Sequence, residues 1–131
     1  MAPYRLIRRA TQAAGLPDCS TLVLPGTLDT AEERLRAFRT EHPNVTAVLA
    51  YNDDLALVTL AAMRRLGLRA PDDLAVIGFD DTPHGALFSP ALTTVHIDAE
   101  AIGRDAARTA LGLPPADTAS RPARVIVRES G

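Results

Sequence analysis

The chain has 131 residues, 47% hydrophobic and 23% charged, with a formal charge of −2, so it is apolar enough to build one folded core and too weakly charged to read as disordered. All fourteen basic residues are arginine, which excludes mechanisms that need an ε-amine: a Walker-type phosphate loop, a Schiff base or a kinase-type phosphate clamp. Acidic and basic residues are interleaved along the chain, which argues against a nucleic-acid-binding surface.

In chain order, the first element is a helix over Tyr4 to Ala14. Leu6, Ile7, Ala10, Ala13 and Ala14 form one helical stripe, stopped by Gly15 and Pro17. Thr21 to Leu24, closed by Pro25-Gly26, reads as a short buried strand. A second helix is expected from Thr30 to Glu41. Thr30 and Glu33 have capping-box spacing, Ala31, Leu35 and Phe38 face inward, and Glu32–Arg36 pairs on the outside. Val45 to Ala50 lacks polar alternation and reads as a strand covered on both faces.

A third helix follows, from Asp53 or Asp54 to Leu66, with Gly67 just past its end. Leu74 to Phe79 is the third strand. Thr82 to Pro90 reads as a loop and Leu92 to Ile97 as β-prone. Asp98 caps a helix reaching Leu111, with Ala99, Ile102, Ala106 and Leu113 as its stripe. After a polar linker, Arg124 to Arg128 is a last strand. The alternation predicts an α/β fold: an open, mainly parallel sheet with flanking helices.

Cys19 is alone, which leaves no internal disulfide and no cysteine zinc cluster, and it fits a small buried hydrophobe. The first nine residues contain no apolar signal-peptide core, and no run approaches the roughly 20 residues of a membrane span. The expectation is a cytoplasmic, soluble protein with no membrane partner.

In an open parallel sheet, ligands bind beyond the carboxyl ends of the strands. Two predicted strands end in polar clusters, Tyr51-Asn52-Asp53-Asp54 and Phe79-Asp80-Asp81-Thr82. A carboxylate there can accept from vicinal hydroxyls, and an asparagine can donate and accept at once. That suits a sugar or nucleoside-like ligand better than a phosphate. Asn52 and Asp80 are the candidate contacts, with Tyr51 and Phe79 at the edge. The bland alternatives are that Asp53, Asp54 or Asn52 merely caps the third helix and that Asp81 and Thr82 merely shape a turn. Paired acidic residues could also hold Mg²⁺ in a phosphotransfer enzyme, but the lysine such a site needs is absent, and the expectation is no enzyme, no cofactor and no metal. His42, His84 and His96 are scattered without metal-ligand or triad spacing and read as surface or loop residues.

Ala56 to Leu66 is apolar almost all round, interrupted only by Thr59, Arg64, Arg65. One side should meet the sheet, and the other needs cover from a partner subunit or from chain-internal loops.

Four segments, Ala-Val-Leu-Ala-Tyr-Asn-Asp-Asp-Leu-Ala (47–56), Gly-Leu-Arg-Ala-Pro-Asp-Asp-Leu-Ala-Val-Ile-Gly-Phe-Asp-Asp-Thr (67–82), Ser-Pro-Ala-Leu-Thr-Thr-Val (89–95) and Val-Ile-Val-Arg-Glu-Ser (125–130), resemble the effector-binding region of lactose-repressor-like (LacI/GalR family) transcription regulators, in the family's order. The resemblance spans roughly Leu6 to Ser130. It implies a type I periplasmic-binding-protein-like lobe, with residues 1–97 as the C-terminal subdomain core. It further implies a helix over 98–113 that packs on an N-terminal subdomain in the family, and a returning strand over 122–130. By the family pattern, Asn52 and Asp80 would bond effector hydroxyls. An arginine contact would align with Pro3 and a stacking aromatic with Ala99, so both of those contacts are lost here.

The resemblance further implies a homodimer surface on the third helix and the 82–89 segment, with Leu57, Val58, Ala61, Met63, Arg65, Pro83 and Leu87 as candidate contacts. DNA would be bound only through an N-terminal helix-turn-helix domain missing from this chain, which reads as a fragment. The competing readings are a sugar-binding protein of a transporter, a Mg²⁺-dependent phosphotransfer enzyme, or a remnant that only folds or dimerises.

Overall fold

The computed structural model describes residues 3–17, 19–24, 27–114 and 122–131. Pro25, Gly26 and the linker over 115–121 lie outside the described residues.

Among the described residues five helices and four strands follow in the order α1 (Pro3–Ala13), α2 (Leu28–Glu41), β1 (Ala47–Leu49), α3 (Asp53–Arg65), β2 (Ala75–Ile77), α4 (Pro83–Leu87), β3 (Thr94–His96), α5 (Ala99–Ala110) and β4 (Arg124–Ile126). β1 and β2 pair in parallel, Val48 opposite Val76. β3 and β4 pair antiparallel, Val95 opposite Val125. A parallel bridge between Ile77 and Thr93 joins the two pairs. The expected α/β fold with a parallel sheet is present, and β4 adds an antiparallel edge.

The core lies between α2, α3 and β2. Ala31, Leu35 and Phe38 form the buried face of α2, as their spacing predicts. They meet Ala56, Leu60, Ala62, Met63, Leu74, Val76 and Leu92 or lie beside them. The Glu32–Arg36 pair forms on the outer face at 2.8 Å. The last turns are tied down by Ser130. Its hydroxyl donates to Val76 O at 2.6 Å and accepts from Thr93 N–H at 2.8 Å, which stitches the chain end between β2 and the approach to β3.

Several local expectations are corrected. Thr21 to Leu24 is not a strand: no ladder partner holds it among the described residues, although Leu22 and Leu24 still pack on the core. α2 begins at Leu28 with Thr27 in the cap position and extended; no side-chain cap bond forms there, and the Thr27 and Thr30 hydroxyls bond each other at 2.8 Å. β1 is not covered on both faces, since Ala47 and Leu49 are exposed. The 82–90 loop contains the short helix α4. Cys19 is only half-buried. No residue of α5 is buried, although Asp98 caps it through Ala101 N–H at 2.9 Å as expected. The apolar stripe of α5 therefore finds no bed within the described chain.

Candidate functional site

The carboxyl ends of β1 and β2 lie side by side. Asp53 N–H donates to Phe79 O at 2.9 Å, and Ala50 N–H donates to Ile77 O at 2.8 Å. These backbone bonds bring the Tyr51-Asn52 turn beside the Phe79-Asp80 turn, the two segments singled out by sequence.

Asn52 is the N-cap of α3. Its Oδ1 accepts from Leu55 N–H at 2.9 Å, so the cap belongs to Asn52 and not to Asp53 or Asp54. An asparagine cap spends one acceptor position and leaves the amide donors for another partner. Tyr51 is 68% exposed, Phe79 is partly buried and Asp80 is exposed. Asp80 and Asp81 have φ of 115° and 55°, a side of the backbone map that non-glycine residues enter at a cost. Asp80 N–H is fixed to Val95 O at 2.9 Å, and Asp81 N–H to the Thr94 hydroxyl at 3.3 Å.

Asp53 is the residue sequence reasoning missed. It is 0% exposed. Oδ2 accepts from the backbone and hydroxyl of Thr82 at 2.6 and 3.0 Å, and Oδ1 accepts from the Thr94 hydroxyl at 2.5 Å. A buried carboxylate survives when donors saturate it. Gly78 has no side chain because a Cβ there would collide with Asp53 Oδ1 and lie 2.9 Å from Leu92 Cδ2. The only sequence signal was an acidic residue beside a cap.

Asp81 is held in an ion pair. Its carboxylate accepts from Arg128 Nη2 at 2.8 Å and lies 3.1 Å from His96 Nδ1. The Arg128 hydrogen bond holds its carboxyl below the usual 3.8. Burial opposes that shift, and the bond to His96 adds to it. His96 is thus a partner of Asp81 on β3, a surface residue as expected, with its side chain 39% exposed, but not part of a loop. The His42 ring lies against Phe38 in a tilted contact, centroids 4.5 Å apart and planes inclined at 46°. Asp53 and Asp81 thus both spend their carboxylates on partners within the protein. Among the described residues no three His, Cys, Asp or Glu side chains gather as a metal-ligand set.

The expected dimer residues divide. Leu57, Val58 and Ala61 are half-buried on α3, and Pro83 and the 84%-exposed Leu87 lie on α4. Met63 is 1% exposed inside the core, so its side chain presents nothing to a partner and is withdrawn from that set. Arg65 pairs with Asp29 of α2. A separate open depression of about 420 Å³ lies toward the amino ends of the strands, lined by Leu60, Arg64, Arg69 and Glu129 among others, away from Asn52 and Asp80. Among the described residues no helix is long and apolar enough to cross a membrane.

Residues 4–131 match the family model described as a periplasmic binding protein-like domain. The chain is 35% identical over 132 residues to the HTH-type transcriptional regulator CelR of Thermobifida fusca, covering 95% of this chain and 38% of that protein. It is 34% identical over 101 residues to the HTH-type transcriptional repressor PurR of Vibrio vulnificus, covering 76% of this chain and 30% of that one. Its fold is similar to a lactose complex of a LacI family transcriptional regulator from Arthrobacter sp. FB24, with a TM-score of 0.71, 34% identity, and 96% and 49% of the two chains covered. It is also similar to the CelR–cellobiose complex, with a TM-score of 0.72, 33% identity, and 95% and 40% covered. The chain spans less than half the length of these curated relatives. It belongs to the periplasmic binding protein-like domain family, as an effector-binding region of the LacI/GalR type.

Proposed function

We propose that this chain is the effector-binding and dimerisation region of a LacI-type transcription regulator, and that its effector is a hydroxyl-rich small molecule, a sugar or a nucleoside. Asn52 and Asp80 hydrogen-bond the effector hydroxyls, with Tyr51 and Phe79 at the rim. The observation that carries the reading is the backbone bond from Asp53 to Phe79, which holds these two turns together at the carboxyl edge, in a fold similar to regulators complexed with lactose and cellobiose. The region works by binding and catalyses no reaction.

Residues 1–97 form the subdomain core. Helix 98–113 serves a second subdomain, and 122–130 returns to the first. A separate helix-turn-helix domain contacts DNA in the cytoplasm. Effector binding then shifts the regulator between states of different DNA affinity. Two copies pair through α3 and α4, with Leu57, Val58, Ala61, Arg65, Pro83 and Leu87 at the contact.

Thermal unfolding against lactose, cellobiose, other sugars and nucleosides tests the reading. A ligand that binds only the folded chain raises its unfolding temperature in proportion to log concentration. Stabilisation by a sugar or nucleoside that is lost in Asp80→Asn is expected. A chain that no member of the panel stabilises overturns the effector reading.

A further inference from the structure

The candidate contact Asp80 sits in a turn that its own backbone does not favour. Asp80 and Asp81 both have positive φ, and such conformations persist only where the surroundings over-determine them. Three bonds do this. Asp80 N–H reaches Val95 O, Asp81 N–H reaches the Thr94 hydroxyl, and Thr82 N–H reaches Asp53 Oδ2. Asp53 takes part directly or indirectly in two of the three, because the Thr94 hydroxyl that receives Asp81 N–H itself donates to Asp53 Oδ1.

Asp53 also follows Asn52 directly and starts α3. One buried carboxylate therefore joins the helix carrying Asn52, the turn carrying Asp80, and β3, the strand that leads out to α5. Cations do not satisfy it; hydroxyls and a backbone N–H do. The bonds are short, and room is cleared for them by Gly78, where a Cβ would collide with Asp53 Oδ1. A carboxylate wanted only as a helix cap would face solvent at the helix end, a role Asn52 already fills.

We infer that Asp53 is a positioning residue. It sets the geometry of Asp80 against Asn52 and transmits displacement of that turn to β3. Its place in an effector site rests on the function proposed above, whereas its hold on the turn does not.

The test is residue-resolved amide hydrogen exchange on the full chain, comparing wild type, Asp53→Ala, Thr82→Val and Thr82→Ser. Exchange at Asp80, Asp81 and Thr82 is read relative to Val76 and Ala50, whose amides bond to Ser130 O and Ile77 O. In Thr82→Val the relative rate at Asp80 and Asp81 rises by about threefold or more, and in Asp53→Ala by about tenfold, whereas Thr82→Ser restores the wild-type ratio. Equal acceleration at all five amides marks a merely structural residue and overturns the inference, as does an unchanged ratio in Thr82→Val. The valine and serine variants decide the matter if Asp53→Ala does not fold.

Titration with lactose and cellobiose forms the second arm. A sugar that binds wild type binds Thr82→Val several-fold more weakly and Thr82→Ser normally. Equal affinity for all three, with the exchange ratio raised, overturns the link from turn to effector. If neither sugar binds any version, the reading of these sugars as effectors fails, and the exchange arm alone decides the role of Asp53.

Discussion

Arg128 Nη2 donates to Asp81 Oδ1 at 2.8 Å while Nη1 donates to Leu92 O at 2.9 Å, so one guanidinium ties the segment after β4 to the turn after β2 and to the approach to β3. Both partners of the ion pair are about one-fifth exposed. Arg128→Leu leaves a carboxylate and a carbonyl without their donors, and the expected loss is about 1–3 kcal/mol of unfolding free energy. Denaturant titration of the variant measures it. A change within the scatter of ordinary surface substitutions would show that solvent takes over both bonds.

The same pair sets an acid response. In the folded chain the Asp81 carboxyl lies below its ordinary 3.8, chiefly through Arg128. A depressed carboxyl stabilises the fold above its unfolded value, and that stability is lost as pH falls through the folded value. Wild type therefore sheds this contribution below about pH 3.8. Arg128→Leu has less of it to shed, and its Asp81 titrates closer to the ordinary value. Carboxyl NMR titration of the two proteins reads the shift directly, and coincident Asp81 curves would contradict the assignment.

Glycines 78 and 67 are needed for different reasons. At Gly78 a Cβ meets Asp53 and Leu92, whereas at Gly67 nothing lies within 4 Å but φ is +71°. Gly78→Ala and Gly78→Ser should both cost about 1–3 kcal/mol through overpacking. Gly67→Ala should cost about 1–2 kcal/mol through backbone strain, and Gly67→Asn should recover much of it, since asparagine tolerates the left-handed region. Thermal unfolding of the four variants separates the mechanisms. A rescue at 78 or none at 67 would reverse the attribution.

Asn52 carries a cap and, in the proposed function, a ligand contact. Asn52→Ala removes the bond from Leu55 N–H and should lower stability by about 1 kcal/mol. Asn52→Asp keeps a side-chain oxygen of equal capping rank but has no amide donor. It should unfold like wild type and bind a sugar effector about tenfold more weakly, a loss of one hydrogen bond to a neutral group. Calorimetric titration with whichever sugar stabilises the wild type is the check. Unchanged affinity in the aspartate variant would leave Asn52 as a cap alone.

What was readable in the sequence was local or periodic. The α2 stripe of Ala31, Leu35 and Phe38 and the Asp98 cap depend on spacings of three and four residues, which a helix enforces by itself. Thr21 to Leu24 failed because an apolar run becomes a strand only with a ladder partner. The start of α2 at Leu28 is not legible because Thr27 and Thr30 are chemically alike, and both have the side chain a cap position favours. Asp53 was invisible as a buried hub because its partners Thr82 and Thr94 are 29 and 41 residues away. The paired turns of the candidate site were legible because their polar clusters follow apolar strands. Which member of each cluster turns inward was not, since that choice depends on Gly78 and on Thr94 of β3.

The proposed dimer surface gives the last prediction, because α3 offers two apolar residues with opposite fates. Leu57 is half-buried and packs only against the margin of the core, while Met63 is enclosed within it. Leu57→Glu should place a charge on the partner-facing side, shifting sedimentation from dimer toward monomer with little loss of fold. Met63→Ala should instead cost about 2–5 kcal/mol by opening a cavity, and the molecules that stay folded should still assemble. Sedimentation velocity paired with denaturation reads both quantities on the same samples. An unmodified chain that sediments as a monomer at high concentration refutes the surface outright. A Met63→Ala chain that is monomeric yet stable would mean that the α3 face turned toward a partner includes Met63 after all.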